Sequence, residues 1–211
     1  MKLWEVGVRM KTKFNPDQRK RIQEDIGYKY KRVAVSPEGN FSYPTGRAGL
    51  EGQKYDPELI KSFPEDVLAS YCGVGNPFTL GPLSRGETVL DIGCGAGLDT
   101  LIAAIMVGPE GKVIGVDLVP DMLQRAKGNL KKTSLKNVTL QEGSVEQLPF
   151  QDGTFDVVIS NGVFNLIPDK AKALREVFRV LKPSARFQLA DQTLMGETPA
   201  DTESLVKNWA G

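Results

Sequence analysis

Histidine is absent from this chain of 211 residues. That absence excludes imidazole zinc ligands and every histidine-centred nucleophilic triad, and it removes the commonest general base of enzyme active sites. Cysteine is almost as scarce. Cys72 and Cys94 are its two representatives, too few for a disulfide framework or a thiolate cage, so no metal site is expected. With no secretory leader pattern, they point to a reducing, cytoplasmic setting. Long apolar runs are missing too. The longest, Leu101 to Val107, falls far short of the ~20 residues that a membrane-crossing helix needs, and no membrane partner is expected. Nor is there a charge excess: 27 Lys and Arg face 26 Asp and Glu, which gives no reason to expect nucleic acid as a partner.

The balance conceals a local asymmetry. Residues 1–35 hold ten basic and four acidic residues, a net of +6 against −5 for the remainder. A charged helix over Pro16–Val35 that folds onto an acidic body accounts for both. The turn-rich stretch Ser36–Tyr55 follows, with too few apolar residues for a core of its own. Residues 1–70 therefore read as an N-terminal helical lid segment, and 71–211 as the cofactor-binding domain.

What is present in strength is the nonapeptide Val89-Leu90-Asp91-Ile92-Gly93-Cys94-Gly95-Ala96-Gly97. A buried-strand pattern runs directly into glycines at alternate positions, which let the backbone turn sharply and let a ligand approach the main chain. A dinucleotide fingerprint wants glycine or alanine three residues after Gly95, but that position is Leu98. Asp91, at the strand's mouth, would repel a pyrophosphate and suits a ligand with a positive end. S-adenosylmethionine carries an ammonium and a sulfonium. The expected contacts here are Asp91, Gly93, Cys94, Gly95 and Gly97, continued by Asp99 and Thr100.

From Thr88 onward, apolar β-rich runs alternate with helical patterns, which is the signature of a parallel sheet covered on both faces. Strands are expected at 88–92, 112–117, 138–142, 155–160 and 186–191, with helices at about 98–107, 120–132 and 170–181. Right-handed crossovers place the carboxyl ends of all five strands on one rim, where open α/β sheets bind ligands. Asp117 ends the second strand 20 residues after Gly97, as an acid for the ribose hydroxyls of an adenosine needs to, with Leu118 and Met122 beside it. Ser144, Val145 and Glu146 follow the third strand and suit an adenine. Asn161 and Gly162 follow the fourth, where a backbone carbonyl can reach the methionine portion. Asp156 reads as a turn cap at the far end of that strand, and Glu176 and Arg179 as the wet face of a helix.

The run Glu87–Asp191 resembles class I S-adenosylmethionine-dependent methyltransferases. The likeness extends to the arsenite methyltransferase family on the tract Cys72-Gly73-Val74-Gly75-Asn76-Pro77, on Gly111–Asp117 and on Ile159–Lys170. It implies a Rossmann-like, doubly wound α/β fold with a mainly parallel sheet, S-adenosylmethionine as cofactor and a small-molecule methyl acceptor. In that family a cysteine commonly follows the Ser-Asn of the fourth strand, where this chain has Gly162. A soft metalloid needs two or three thiolates, so arsenite is not the acceptor this pattern favours. Cys72, at a family-like place, and Asp191 are the candidate catalytic residues, with Tyr28, Tyr30 and Tyr43 as further candidate bases.

Class I members usually add two strands after the one that ends here at Asp191, and 20 residues follow it. The expectation is a sheet without those strands, either because the chain is a truncated or minimal form or because its edge is covered by something else, such as a partner subunit in a homodimer, with a helix over Pro199–Trp209. Ser184-Ala185 replaces the paired glycines usual after the Lys-Pro. Two other functional classes stay open at this level: a non-catalytic S-adenosylmethionine-binding or assembly subunit, and a nicotinamide oxidoreductase, against which Leu98 argues.

Overall fold

Alternation along β1 (Thr88–Ile92) determines which helix each residue meets. Leu90 and Ile92 point to one face of the sheet and Val89 and Asp91 to the other. The computed structural model describes residues 14–193, 202–207 and 209. β1 pairs in parallel with β2 (Lys112–Asp117) on one side and β4 (Phe155–Asn161) on the other, and β3 (Val138–Glu142) and β5 (Leu181–Ala190) complete the order β3-β2-β1-β4-β5. The strands hold Leu90 opposite Ile114 and Val158, so the hydrophobic sets stay in register.

The helices cover both faces. α5 (Leu98–Val107) packs Ala103, Ala104 and Val107 against Val89, Val113, Val157 and Ile159. On the opposite face α7 (Lys170–Val180) sets Ala173, Val177 and Val180 against Leu90, Ile92, Val116 and Val158. Each fully buried aliphatic side chain contributes about 1.5–3 kcal/mol. α6 (Pro120–Leu130) opens on Pro120, whose fixed φ suits a first helical turn. These elements carry out the α/β fold expected of the sequence.

One strand boundary differs by several residues. β5 begins at Leu181, directly where α7 ends, and not at Arg186. Its first half is concealed in the sequence by Pro183 and by Ser184, which takes a left-handed φ of 63°. Register shifts between Phe155 and Val157 there, and Lys182 pairs with Asp156 at 2.8 Å. Asp156 also accepts from the Thr88 N–H, so it ties strand starts together at the end away from the rim. Arg179 is more than a wet-face residue. It donates to the carbonyls of Leu148 and Phe150, while Glu176 accepts from the Leu148 N–H, and the pair clamps the loop after β3.

Upstream, α1 (Pro16–Val35) starts on a capping box between Asn15 and Gln18. Its Val33 packs with Ala96, Val119 and Met122. α2 (Gly46–Gly52), α3 (Pro57–Lys61) and α4 (Glu65–Leu68) share a core with α5, where Leu50, Ile60, Val67 and Leu68 meet Leu98, Leu101 and Ile102. The helix expected over Pro199–Trp209 lies partly outside the described residues. Within them, α8 (Thr202–Lys207) sets Val206 beside Phe14 and Ile22. Among the described residues no helix is long and apolar enough to cross a membrane, and no group of three or more Cys, Asp or Glu is placed to hold a metal.

Candidate functional site

The carboxyl ends of β1, β2 and β4, the loop after β3, α1 and the Tyr71–Gly73 segment enclose one cavity, about 1170 Å3 including its open mouth. Gly93, Gly95 and Gly97 have φ of 66°, 53° and 89°, which carries the chain from β1 into α5 without side-chain strain. Among the predicted residues, Asp91, Gly93, Cys94, Gly95, Asp99, Asp117, Leu118, Ser144, Val145, Glu146, Asn161, Gly162 and Cys72 line the cavity.

Four predicted residues stand elsewhere. Gly97 lies behind the loop, where an added Cβ would come within 3.1 Å of the Ala126 Cβ, so it serves the α5–α6 contact. Met122 supports the loop from the same side, in the cluster with Val33, Ala96 and Val119. Thr100 is fully buried and donates to Asp91 Oδ2 at 2.5 Å, one step removed from any ligand. Asp191 accepts from the N–H groups of Asn165 and Gln192 and is not part of the wall. Of the tyrosines, Tyr28 points outward, 71% exposed, whereas Tyr30 lines the cavity and Tyr43 donates to the Cys72 carbonyl at 3.0 Å.

Three carboxylates dominate the electrostatics. Asp91, Asp99 and Asp117 are 2%, 8% and 9% exposed, and no Lys or Arg lines the cavity. Burial, then the charge of Asp99, pushes the Asp91 carboxyl up to about 8. Burial likewise lifts Asp99 to about 6, opposed by hydrogen bonds from Tyr55 and Asn161. Asp117 is also raised by burial, against the backbone N–H groups it accepts: Gly95 to Oδ2 at 2.8 Å and Val119 to Oδ1 at 2.9 Å. Each of its oxygens keeps a second lone pair for a ligand. Burial pushes the Cys72 thiol up to about 12, with Asp117 and Asp99 adding to it, and raises Tyr30 well above the ordinary phenol range.

Sequence reasoning missed Gln23, Ile26, Tyr71, Val163, Leu166 and Ile167 among the lining residues. Gln23, Ile26 and Tyr30 follow helical spacing, i, i+3 and i+7, and so mark the inner face of α1. Arg19, one turn earlier, reaches Glu146 at 3.3 Å and Asp169 at 3.7 Å, which joins α1 to the loop after β3 and to the start of α7.

The profile of the family described as "Methyltransferase domain" matches residues 83–211. An arsenite methyltransferase of Halobacterium salinarum is 38% identical over 165 residues, covering 78% of this chain and 42% of that protein. A demethylmenaquinone methyltransferase of Lactococcus lactis is 46% identical over 102 residues, or 48% of this chain and 40% of that protein. The chain thus spans less than half the length of these curated relatives. Among solved structures, the arsenic(III) S-adenosylmethionine methyltransferase of Chlamydomonas reinhardtii superposes with a TM-score of 0.52 at 35% identity, covering 71% of this chain and 50% of that one.

Proposed function

Because this chain belongs to the methyltransferase domain family, we propose that it transfers a methyl group from S-adenosylmethionine to a small-molecule acceptor. The observation that carries this reading is the convergence of Asp91, Asp99, Asp117 and the glycine turn on one cavity without a basic side chain. Buried acids raised above their usual range call for a cationic ligand, whose charge would offset their desolvation. The residues present therefore fit the cofactor. Asp117 would hold the ribose hydroxyls on its free lone pairs, Leu118 and Val145 would flank the base, and Asp91 would face the cationic methionine portion.

When bound, S-adenosylmethionine supplies an electrophilic sulfonium methyl group. The chain's own contribution is alignment and exclusion of water. Tyr30, Ile26 and Gln23 of α1 close one side of the cavity, and Ile167 and Pro168 another. Tyr30 and Cys72 stay protonated near neutral pH, so they can donate to an acceptor but not deprotonate it.

The relatives named as arsenite and demethylmenaquinone methyltransferases differ in acceptor. Cys72 lines the cavity at a family-like place, whereas Cys94 sits within the glycine turn and Gly162 stands where a further thiol would be needed. A soft metalloid centre is held well by two or three thiolates, which favours an acceptor other than arsenite. A chain of this family leaves no support for the nicotinamide reading.

Calorimetric titration with S-adenosylmethionine and with its demethylated product tests the cofactor site, with Asp117→Ala as control. Incubation with arsenite, thiols, quinols and phenols then tests transfer. Binding is expected, followed by release of demethylated product with a member of the last three classes. No heat with the native chain would remove the proposal. Binding without turnover on any acceptor would support a cofactor-binding subunit in its place, and arsenite turnover that survives Cys72→Ser would overturn the thiolate argument.

A further inference from the structure

Asn161, at the end of β4, spends its whole side chain on neighbouring loops. Its Oδ1 accepts the N–H groups of Val74 and Gly75 at 2.9 and 3.1 Å, and its Nδ2 donates to the Gly75 carbonyl at 2.7 Å and to Asp99 Oδ2 at 2.9 Å. The other oxygen of Asp99 takes the Tyr55 hydroxyl at 2.7 Å. Tyr71 completes the ring: its hydroxyl meets Gln53 Oε1 and lies 2.9 Å from the Gly75 carbonyl, while Gln53 donates to the Gly73 carbonyl at 2.8 Å.

The network joins four parts of the chain: the end of β4, the start of α5, the segment from Tyr71 to Gly75, and the stretch Gln53–Tyr55 after α2. It also accounts for a glycine. A Cβ at Gly73 would lie 2.3 Å from Asn161 Nδ2 and 2.5 Å from the Tyr71 hydroxyl, so the loop can close onto Asn161 only without a side chain there. Cys72 and Gly73 both lie in the cavity wall, within the segment from Tyr71 to Gly75 that the network ties down.

We propose that Asn161 and Asp99 are positioning residues that latch the Tyr71–Gly75 loop shut and so hold the Cys72 wall of the cavity against the bound cofactor. Both lone pairs of the Asn161 Oδ1 and both hydrogens of its Nδ2 are consumed by the latch, so it lines the cavity without offering it a free side-chain acceptor, whereas each Asp99 oxygen keeps a second lone pair. The proposal rests on the methyltransferase reading only for its effect on cofactor affinity. The latch itself is a property of the ligand-free chain.

The experiment therefore has two arms, the first in a Cys94→Ala background so that one thiol reports, the second in the native chain. In the ligand-free protein, the rate of Cys72 modification by a neutral disulfide reagent is compared for Asn161→Ala, Gly73→Ala, Tyr55→Phe and the parent at one pH. In the second arm, S-adenosylmethionine affinity is measured for the same set, with melting temperature as the control for folding. An open latch predicts at least about a tenfold faster Cys72 reaction in Asn161→Ala and Gly73→Ala, a smaller rise in Tyr55→Phe, and cofactor affinity about tenfold weaker in the first two, the size expected for charged and neutral hydrogen bonds lost together. Cys72 reactivity equal to the parent in folded Asn161→Ala, or in Tyr55→Phe should that variant not fold, would overturn the proposal. Faster thiol reaction with unchanged affinity would overturn its cofactor half alone. A parent that binds no cofactor while the thiol rates still separate would sink the methyltransferase reading and leave the latch standing.

Discussion

The carboxylate of Asp117 accepts the backbone N–H of Gly95 at 2.8 Å, so the acid that ends β2 also fixes the glycine turn that follows β1. The two halves of the proposed cofactor site are thus one mechanical unit. With its second oxygen on the Val119 N–H, Asp117 braces the start of α6 as well.

Asp117→Ala consequently removes the proposed ribose acceptor and unties the loop in one change. Hydrogen bonds to a charged group are worth about 1.5–3 kcal/mol, which corresponds to roughly 10- to 100-fold in Kd for S-adenosylmethionine. Calorimetry of Asp117→Ala beside Asp117→Asn separates the effects, since the asparagine can keep one backbone N–H. Equal affinity for both variants and the native chain would show that Asp117 faces no ligand.

The acid cluster gives a pH dependence with a definite sign. Asp91 titrates at about 8 in the folded chain and at about 3.9 unfolded, so between these values the native state binds more protons than the unfolded one. Stability from this group is then fully present below pH ~4 and is lost as pH rises toward 8. Asp99, with a folded value of about 6, adds the same trend over a shorter window. Asp91→Asn lacks the titration, so its melting temperature relative to the native chain should increase from pH 5 to pH 8 when scanned without ligand. Parallel melting curves across that range would contradict the burial of a titrating Asp91.

Arg19 ties α1 to the body through Glu146 and Asp169 across partly exposed contacts. Pairs of this kind contribute about 0.5–1 kcal/mol. Arg19→Ala should leave the sheet intact, weaken cofactor affinity a few-fold, and speed proteolytic cleavage within α1. Cleavage at the native rate would mean that the apolar contacts of Ile22 and Val33 hold α1 by themselves.

Gly162 stands where the arsenite methyltransferase family commonly has cysteine, and its φ is +72°. An added Cβ would meet the Val74 methyl groups at 3.2 and 3.3 Å. Gly162→Cys should therefore destabilise the chain by about 1–2 kcal/mol, roughly 2–8 °C in melting temperature, without conferring arsenite turnover. A variant that melts with the native chain and methylates arsenite would show that the loop adapts to a thiolate.

How far the site could be read ahead varies with the kind of signal. Strands β1 to β4, the glycine turn and Asp117 announce themselves because each depends on local pattern: runs of β-branched residues, glycines where φ is positive, an acid at a strand end. Sequence proximity places Thr100 beside the glycine loop and Met122 beside Asp117, but the face of a helix is assigned by what it packs on, and both turn behind the loop. Tyr55 and Tyr71 gave no signal at all, since what brings them to Asp99 and Asn161 is the packing of α2–α4 on α5. The first half of β5 was hidden by Pro183 and Ser184, which spell a turn locally and yet pair with β4.

By itself the sequence determined the doubly wound sheet and the rim on which its strand ends meet, and it raised the expectation of a ligand with a positive end at Asp91, because hydrophobic period, glycine geometry and charge are properties of neighbouring residues. Only the tertiary structure decided that Asp99 and Asn161 hold each other and the Tyr71–Gly75 loop, that both cysteines line the cavity, and that Tyr30 and not Tyr28 faces it. Those outcomes depend on burial and on contacts between segments 60 to 100 residues apart along the chain, which no local pattern encodes.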